Sequence, residues 1–491
     1  MARKISAAEV AKHNQQGDCW VIIHGKVYDL TNFLPDHPGG VKVITRWAGH
    51  DATEAFDPIH PPDIIERYLS PDVCLGEIDT PFLGQEYLRK KSEIIMAERR
   101  KAIPPLGEML NLFDFEEIAK KVLSPEAWAY YSSGADDEIT LRENHNAFHR
   151  IWFRPRILIN VRDVDLSCQI LGYTSTLPVY ITATALAKLG HPDGEVVLTK
   201  AAHQTGLIQM LPTLASCSLD QMTDARQPGQ TQFFQLYVNQ DRSATEKLIR
   251  QAEKKGCKAL FVTVDAPQLG RREKDMRMKY SEAPPDIQSE STVDRSQGAA
   301  RAISSFLDPG FCWEDLKWIR EITSMPLILK GVQCGEDAVL AVQHGVQGIV
   351  ISNHGGRQLD FARSGIEVLP EVMSALRAHN YQNRLEVYVD GGIRRGSDIF
   401  KAIALGAKAV GVGRPFLYAM STYGVEGVVR AIQLLRGELE MTMRLCGCRS
   451  ISDIREEMID WSGLRARSSV ADDCLGRHVY ERLRVPGESK L

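Results

Sequence analysis

The sequence has no long apolar run, no basic arm and no cysteine spacing typical of a metal site. Charged residues interrupt every apolar stretch well short of the length that spans a bilayer, so we do not expect a membrane protein. A formal net charge of -4 over 491 residues, without a basic stripe, argues against a nucleic-acid partner. The 10 cysteines are scattered, and Cys446 and Cys448 are too close for an ordinary zinc pair, which indicates free thiols in a reducing compartment.

The two ends of the chain bear on localisation. The first ten residues lack an apolar signal core and include Glu9, which argues against secretion. The last three residues, Ser489-Lys490-Leu491, match the receptor-read peroxisomal address. We therefore expect a peroxisomal protein, with the cytoplasm or the mitochondrial intermembrane space as alternatives.

The length and the changes of pattern predict four segments. A small domain covers residues 1–79, and a charged, helix-prone linker covers 80–105 and ends in Pro104-Pro105. A large domain covers 106–467, and a tail without a periodic apolar face covers 468–491.

The first segment contains two histidines suited to a haem. Two short strands around His24-Gly25 are followed by the turn Phe33 to Gly40, which can push His37 out of a helix end, and then by His60. Two facing imidazoles are what six-coordinate haem iron needs, although two surface histidines would leave the same pattern.

This segment resembles cytochrome b5 in its His-Pro-Gly-Gly motif at residues 37–40 and in its second histidine. The resemblance implies a small α+β domain that binds haem b through His37 and His60. His50 is a competing ligand on paper, but the resemblance implies that it is no ligand and is exposed.

The large segment alternates short β-rich runs with helical stretches, which predicts a parallel sheet. Eight candidate strands suggest a closed (β/α)8 TIM barrel, so the fold class is α/β. They are residues 179–181, 207–210, 231–236, 259–264, 327–329, 348–351, 387–389 and 409–412.

Polar side chains follow these strands at or just past their carboxyl ends, which meet at one face of a barrel, where the fold places active sites. Singly, each could be a capping or solvent residue. Together they predict one pocket, formed by Thr182, Tyr237, Asp265, Lys330, His354 and Asp390, with Gly413-Arg414 after the last strand.

One strand end stands out, because Ile351 to Asp360 holds His354, two glycines and Arg357. A histidine can accept a proton near neutral pH, and an arginine can grip a carboxylate with its planar fork. At the last two strand ends, residues 390–394 and 411–414 combine glycine-freed amides with Arg394 and Arg414, which predicts a phosphate site and hence a phosphorylated cofactor. Lys330 could stabilise negative charge on a reduced ring.

The barrel, from Leu110 to about Arg467, resembles the FMN-dependent L-2-hydroxy acid oxidising family, which includes glycolate oxidase and L-lactate dehydrogenase. The matching motifs are Tyr130 to Ala135, Gln235-Leu236-Tyr237, Thr263-Val264-Asp265, Leu269 to Arg272, Lys330-Gly331-Val332, Ser352 to Asp360 and Asp390-Gly391-Gly392. With the haem segment in front, the resemblance implies an L-lactate dehydrogenase of the cytochrome type, with FMN and haem b as cofactors.

The resemblance also implies roles for individual residues. His354 is the base and Asp265 orients it; Arg357 and Tyr130 hold the substrate carboxylate, Arg272 lies nearby, and Tyr237 bonds the hydroxyl. The expected flavin contacts are Ala183, Thr184, Gln235, Thr263 and Lys330, with Asp390, Gly391, Gly392, Arg394, Gly413 and Arg414 around its tail.

One residue departs from the family pattern, since Pro212 stands where the family usually has a serine and offers neither a hydroxyl nor an N–H. This puts a local flavin contact and the redox tuning of the flavin in doubt. We expect Leu214 and Leu186 near the substrate side chain, favouring a small one.

Two stretches leave alternatives open. Residues 274–301 lack apolar periodicity and predict either a mobile lid or disorder. The tail either packs on a neighbouring subunit or hangs free; by the resemblance the protein is a homo-oligomer, a tetramer.

Three functions are ranked. The first is a dehydrogenase that passes electrons from a small 2-hydroxy acid through FMN and haem to an acceptor such as cytochrome c. The second is an oxidase that gives electrons to dioxygen, which the peroxisomal ending makes attractive. The third is a flavin and haem protein that senses redox state without catalysis, for which His354, Asp265 and Arg357 would be unnecessary.

Overall fold

The computed structural model describes residues 3–37, 41–79, 103–280 and 307–466. Most of the predicted linker, the later part of the 274–301 stretch and the whole of the predicted tail, including Ser489-Lys490-Leu491, lie outside the described residues. The beginning of the 274–301 stretch belongs to a helix, Glu273–Tyr280.

The N-terminal domain is a small α+β unit, as predicted. Its five-stranded sheet has the order β1-β5-β4-β3-β2, and Cys19, Val21 and Ile23 alternate into a buried cluster on one face. The strands are β1 Lys4–Ile5, β2 Asn14–Gln15, β3 Asp18–Ile23, β4 Lys26–Asp29 and β5 Cys74–Ile78, and the helices are α1 Ala7–Val10, α2 Val41–Thr45, α3 Thr53–Phe56 and α4 Ile64–Tyr68.

The second domain contains the predicted eight-stranded parallel barrel, which closes between β16 and β9. Its strands are β9 Val179–Ile181, β10 Ile208–Leu211, β11 Gln232–Leu236, β12 Leu260–Thr263, β13 Leu327–Val332, β14 Gly348–Ile351, β15 Glu386–Asp390 and β16 Ala409–Val412. Short pairs outside the barrel are β6 Trp152–Phe153 with β17 Ile459–Asp460, and β7 Cys168–Ile170 with β8 Tyr173–Ser175.

Helices surround the barrel and bury its outer face. They are α5 Leu112–Val122, α6 Pro125–Ser132, α7 Ile139–Asn146, α8 Glu195–Thr205, α9 Leu219–Asp224, α10 Arg242–Lys254, α11 Glu273–Tyr280, α12 Asp315–Ile322, α13 Gly335–Gln343, α14 Gly365–Ala378, α15 Gly396–Ala404 and α16 Arg414–Cys446. The aromatic rings of Tyr180, Phe233, Phe261 and Tyr388 pack together in a separate buried cluster. The barrel is therefore a filled core whose loops can carry a site.

Among the described residues, no helix has both the length and the apolar character that crossing a bilayer requires.

Candidate active site and haem site

The loop after β14 turns sharply to present His354. This residue has a left-handed backbone (φ 59°), and its amide donates to Ser352 Oγ at 3.0 Å. Gly356 follows at φ 76°, and a Cβ there would lie 2.6 Å from the backbone of Leu141, so only glycine lets helix α7 approach. The glycines that marked this stretch in the sequence thus fix the direction of the imidazole.

The imidazole of His354 lies between a carboxylate and a phenol. Its Nδ1 is 2.9 Å from Asp265 Oδ1, and its Nε2 is 3.1 Å from the hydroxyl of Tyr237. Asp265, from the end of β12, lies behind the ring with only 2% of its side chain exposed. A carboxylate on one ring nitrogen fixes the tautomer and leaves the other nitrogen facing the cavity.

Burial and charge set the protonation of this pair. Burial, opposed by Asp265 and assisted by Lys330, holds the pKa of His354 below its ordinary value. Burial raises the pKa of Asp265, but His354 and Lys330 outweigh it, so the pKa lies below the ordinary value. The pair is therefore a neutral imidazole beside an ionised carboxylate near neutral pH, as a general base requires.

Two guanidiniums face the same cavity. Arg357 donates to the carbonyls of Tyr130 at 2.7 Å and Ser133 at 3.2 Å, and its charge lies 5.0 Å from the centre of the Tyr130 ring. Arg272 is 3% exposed, and burial, together with the charge of Arg357, lowers its pKa to about 9. Such crowding of positive charge is relieved by an anion, and a carboxylate matches the fork geometry.

A deep cavity extends from His354 across the mouth of the barrel. Of the seventeen predicted catalytic and flavin-binding residues, all except Asp265 line it, in agreement with its position behind the imidazole. Three buried oxygens in this region, Thr182 Oγ1, Thr184 Oγ1 and Asp390 Oδ1, have no hydrogen-bond partner within the described part of the chain. Unpaired buried polar atoms are costly, so this region is built to receive a polar ligand.

Lys330 places a positive charge in the lining of this cavity. Its Nζ donates to Ser352 Oγ at 3.2 Å and lies 3.5 Å from Asp390 Oδ2. Burial lowers the pKa of Lys330, but the charges of Asp390 and Asp265 outweigh it and hold the pKa above its ordinary value. The ammonium is therefore charged and can stabilise a ring that gains electrons.

The loop after β15, which also lines this cavity, has the features of a phosphate site. Gly391 and Gly392 both have positive φ angles, and a Cβ on Gly392 would lie 1.9 Å from the carbonyl oxygen of Asn144. Arg394 lies beside them and pairs with Glu116 at 2.5 Å. Glycine amides and a guanidinium together suit a phosphate.

Arg414 differs from the expectation of a simple phosphate contact. Its guanidinium donates to the carbonyls of Tyr131, Gly355 and Ser133 at 2.8, 2.9 and 2.8 Å. These bonds use three of its five N–H groups and join the end of α6 to the His354 loop. Its contact with a flavin tail stays a prediction, which the remaining N–H groups would have to supply.

The two predicted haem ligands face each other in the N-terminal domain. The ring centroids of His37 and His60 are 6.1 Å apart, which leaves room for one ion with metal–nitrogen bonds of about 2 Å. Phe56 stacks on His60 at 4.3 Å, and His60 Nδ1 is 3.1 Å from the Phe56 carbonyl. Burial lowers the pKa of His60 to about 4, so its imidazole is neutral. His50 is exposed.

Some residues that line the cavity were not predicted from the sequence. Asn144 and His145 reach the cavity from α7, and Ala185 lines it, whereas Leu186 does not. Leu186 has φ 58°, and its backbone amide donates to the carbonyl of Leu214 at 3.3 Å; the expectation that its side chain lies near the substrate stays a prediction. The hydrophobic pattern of the sequence gives no signal that Asn144 and His145 face a cavity or that Leu186 has a left-handed backbone.

Comparison with known proteins follows the same division into two domains. Residues 119–461 match the model of the FMN-dependent dehydrogenases, and residues 6–79 match the cytochrome b5-like haem/steroid binding domain. The chain belongs to the FMN-dependent dehydrogenase family. Its N-terminal part is a cytochrome b5-like domain, and its cofactors are FMN and haem b.

Several relatives of this FMN-dependent dehydrogenase are similar over most of its length. It is 55% identical to the L-lactate dehydrogenase (cytochrome) of Wickerhamomyces anomalus over 96% of this chain and 83% of that protein. Glycolate oxidase of Spinacia oleracea is 42% identical over 74% of this chain and 99% of that protein. A solved flavocytochrome b2 variant with benzoylformate has a TM-score of 0.72 and 48% identity, covering 82% of this chain and 99% of that one.

The residues present fit both cofactors. The glycine amides and Arg394 suit the FMN phosphate, while Lys330, Gln235 and Thr263 lie where polar groups can meet its ring. The paired imidazoles and the aromatic rings around them suit haem b. Within the described residues no group of three or more histidine, cysteine or acidic side chains could hold another metal ion.

Proposed function

We propose that this protein oxidises a small L-2-hydroxy acid, L-lactate foremost, to the 2-oxo acid and passes the electrons from FMN to the haem and on to an external acceptor such as cytochrome c. The observation that carries the proposal is the position of His354, with Asp265 on one nitrogen and Tyr237 on the other, beside Arg272 and Arg357. A protein that only binds flavin and haem has no need of this arrangement.

The residues divide the work between holding the substrate and moving a proton. Arg357, with Tyr130 and Arg272, binds the carboxylate and so fixes the substrate α-carbon in the cavity. Tyr237, whose hydroxyl lies 3.1 Å from Nε2 of His354, bonds the substrate hydroxyl in this proposal. FMN, when bound, supplies the two-electron acceptor.

His354 accepts the proton that leaves the hydroxy acid. Its Nε2 faces the cavity, while Asp265, which is ionised and buried, stabilises the imidazolium that forms. Because Asp265 is almost fully buried, water screens its charge little and its interaction with the imidazolium is strengthened.

The apolar residues that line the cavity bear on the size of the substrate side chain. Leu214 and Ala185 line the cavity, and Leu214 leaves space for a methyl group more readily than for an aromatic ring. We therefore rank L-lactate ahead of larger hydroxy acids. Anaerobic flavin reduction measured with L-lactate, glycolate and an aromatic hydroxy acid tests this order.

The haem domain favours a dehydrogenase over an oxidase that uses dioxygen. The matched glycolate oxidase aligns with 74% of this chain, whereas the matched cytochrome-type lactate dehydrogenase aligns with 96%. Stopped-flow reduction of the haem by L-lactate without oxygen tests the proposal. Haem that stays oxidised while the flavin is reduced would reject it in favour of the oxidase.

We extend the proposal to assembly as a homo-oligomer, a tetramer. An apolar surface supports it, because Ile157, Leu158, Met441 and Leu445 are exposed by 80, 98, 56 and 67%. Sedimentation of the wild type and of a Leu158→Ser/Leu445→Ser variant tests it. A wild type that sediments as a monomer would contradict it.

For localisation, the proposal is delivery to the peroxisome through Ser489-Lys490-Leu491. The mitochondrial intermembrane space and the cytoplasm are the alternatives. Imaging an N-terminal fluorescent fusion with and without Leu491 distinguishes them, since only a peroxisomal protein should change position.

A further inference from the structure

Ser216 lies where the haem domain meets the barrel. Its side chain is buried (0% exposed), although it is not among the residues that line the flavin cavity. Its hydroxyl accepts a bond from the Lys188 amide at 3.2 Å and donates its one proton to the carbonyl of Pro58 in the haem domain at 2.9 Å. The hydroxyl therefore accepts one hydrogen bond from the barrel domain and donates one to the haem domain.

The barrel side of this contact is firmly held. The carboxylate of Glu195, itself 0% exposed, accepts bonds from the amides of Ala187 at 3.0 Å, Ser216 at 2.9 Å and Cys217 at 3.0 Å. Three charge-assisted bonds from one buried group fix the loop after β9 to the loop after β10. Ser216 therefore offers its proton from a rigid position.

The haem-domain side is held as well. Pro58 lies between Phe56 and His60, whose ring is bonded to the Phe56 carbonyl at 3.1 Å. Its neighbour Asp57 pairs with His24 at 2.9 Å. The carbonyl that Ser216 contacts thus belongs to the same short segment as an expected haem ligand.

On the barrel side, Leu214 lines the flavin cavity two residues before Ser216, so one hydrogen bond joins a wall of this cavity to the segment that carries His60. We infer that Ser216 is a positioning residue that holds the haem domain against the flavin cavity and so governs the transfer of one electron from reduced flavin to ferric haem. It takes no part in substrate oxidation. This inference rests on the proposed function.

The experiment compares Ser216→Ala with Ser243→Ala, which removes an exposed hydroxyl from the start of α10. Flavin reduction and haem reduction by L-lactate are followed separately in an anaerobic stopped-flow instrument. Electron transfer is then measured again after photoreduction of the flavin with deazariboflavin, which needs no substrate. FMN and haem absorbance establish that each variant is loaded.

We expect Ser216→Ala to reduce its flavin at the wild-type rate but its haem about five-fold more slowly, since one neutral hydrogen bond no longer favours the docked arrangement. Ser243→Ala should match the wild type. If the alanine protein does not fold, Ser216→Cys keeps the site filled with a weaker donor and should slow the same step. Flavin-to-haem transfer at the wild-type rate in a folded Ser216 variant would overturn the inference.

The photoreduction arm separates this inference from the proposed function. Suppose that L-lactate does not reduce the protein, but that its photoreduced flavin passes electrons to the haem at a rate that depends on Ser216. The proposed substrate would then be wrong, and the inferred role of Ser216 would stand.

Discussion

Asp265 Oδ1 lies 2.9 Å from Nδ1 of His354, and this bond crosses from the end of β12 to the loop after β14. The two strands are separated by β13 in the barrel, but all carboxyl ends of a parallel barrel meet at one face, so side chains 89 positions apart in the sequence come together. The bond leaves Nε2 as the reactive nitrogen. The first predictions follow from this geometry.

Replacement of His354 by glutamine should remove the base while keeping a polar side chain of similar reach. Flavin reduction by L-lactate should fall by about 10²- to 10⁴-fold, with much less change in KM, because the proton acceptor acts mainly in the transition state. The measurement is anaerobic flavin bleaching. His379→Gln, at an exposed histidine directly after the C-terminal end of α14, is the matched control. Near wild-type bleaching in His354→Gln would place the catalytic centre elsewhere.

The pH dependence of kcat/KM should report the same pair. Since burial holds the pKa of His354 below its ordinary value and the base must be neutral, activity should fall with decreasing pH only below about 6.5. Asp265 raises this pKa, so Asp265→Asn should move the acid limb to still lower pH. It should also slow flavin reduction by about 10- to 100-fold, because the imidazolium loses its counter-charge.

The shift separates an electrostatic role of Asp265 from a merely structural one. Asp163→Asn, at an exposed position, serves as its control and should leave the profile unchanged. An acid limb that moves to higher pH in Asp265→Asn would show that the carboxylate does not stabilise the protonated ring.

Arg357→Lys should weaken both binding and catalysis. The guanidinium contacts two carbonyls at the end of α6 and retains N–H groups for the substrate, and an ammonium cannot reproduce this planar set. We expect KM to rise and kcat to fall, with a combined loss of about 10- to 100-fold in kcat/KM. The control is Arg271→Lys, at an exposed arginine that pairs with Glu273, and this variant should behave like the wild type. A variant with raised KM and unchanged kcat would show that Arg357 stabilises the bound substrate and the transition state equally and does not position the substrate for reaction.

The barrel and the residues at its strand ends could be predicted because both depend on local pattern. Apolar runs such as Gly348–Ile351 are bounded by polar residues, and parallel strands bring all their carboxyl ends to one face. His354, Asp265 and Tyr237 therefore converge in the structure as expected. Their chemical roles still depend on the family resemblance and on the experiments above.

Contacts made by whole segments crossing one another could not be predicted. Asn144 reaches the cavity because α7 packs on Gly392, and the orientation of α7 is a tertiary property. In the sequence Glu195 is an ordinary helix residue, yet its carboxylate accepts hydrogen bonds from backbone amides of two loops. The sequence places Arg414 beside glycines that suit a phosphate, but its three bonds to carbonyls of other segments depend on the tertiary fold.

The last prediction concerns the independence of the two cofactor sites. His37→Ala or His60→Ala should remove the low-spin haem spectrum, because six-coordinate iron needs both imidazoles. Flavin reduction by L-lactate should continue at nearly the wild-type rate, because His354, Asp265 and Arg357 all belong to the barrel domain. His50→Ala, at an exposed histidine of the same domain, should retain the haem and serves as the control. The test is an absorbance spectrum of each variant followed by anaerobic flavin bleaching, and loss of flavin reduction together with the haem would show that the barrel site depends on the haem domain.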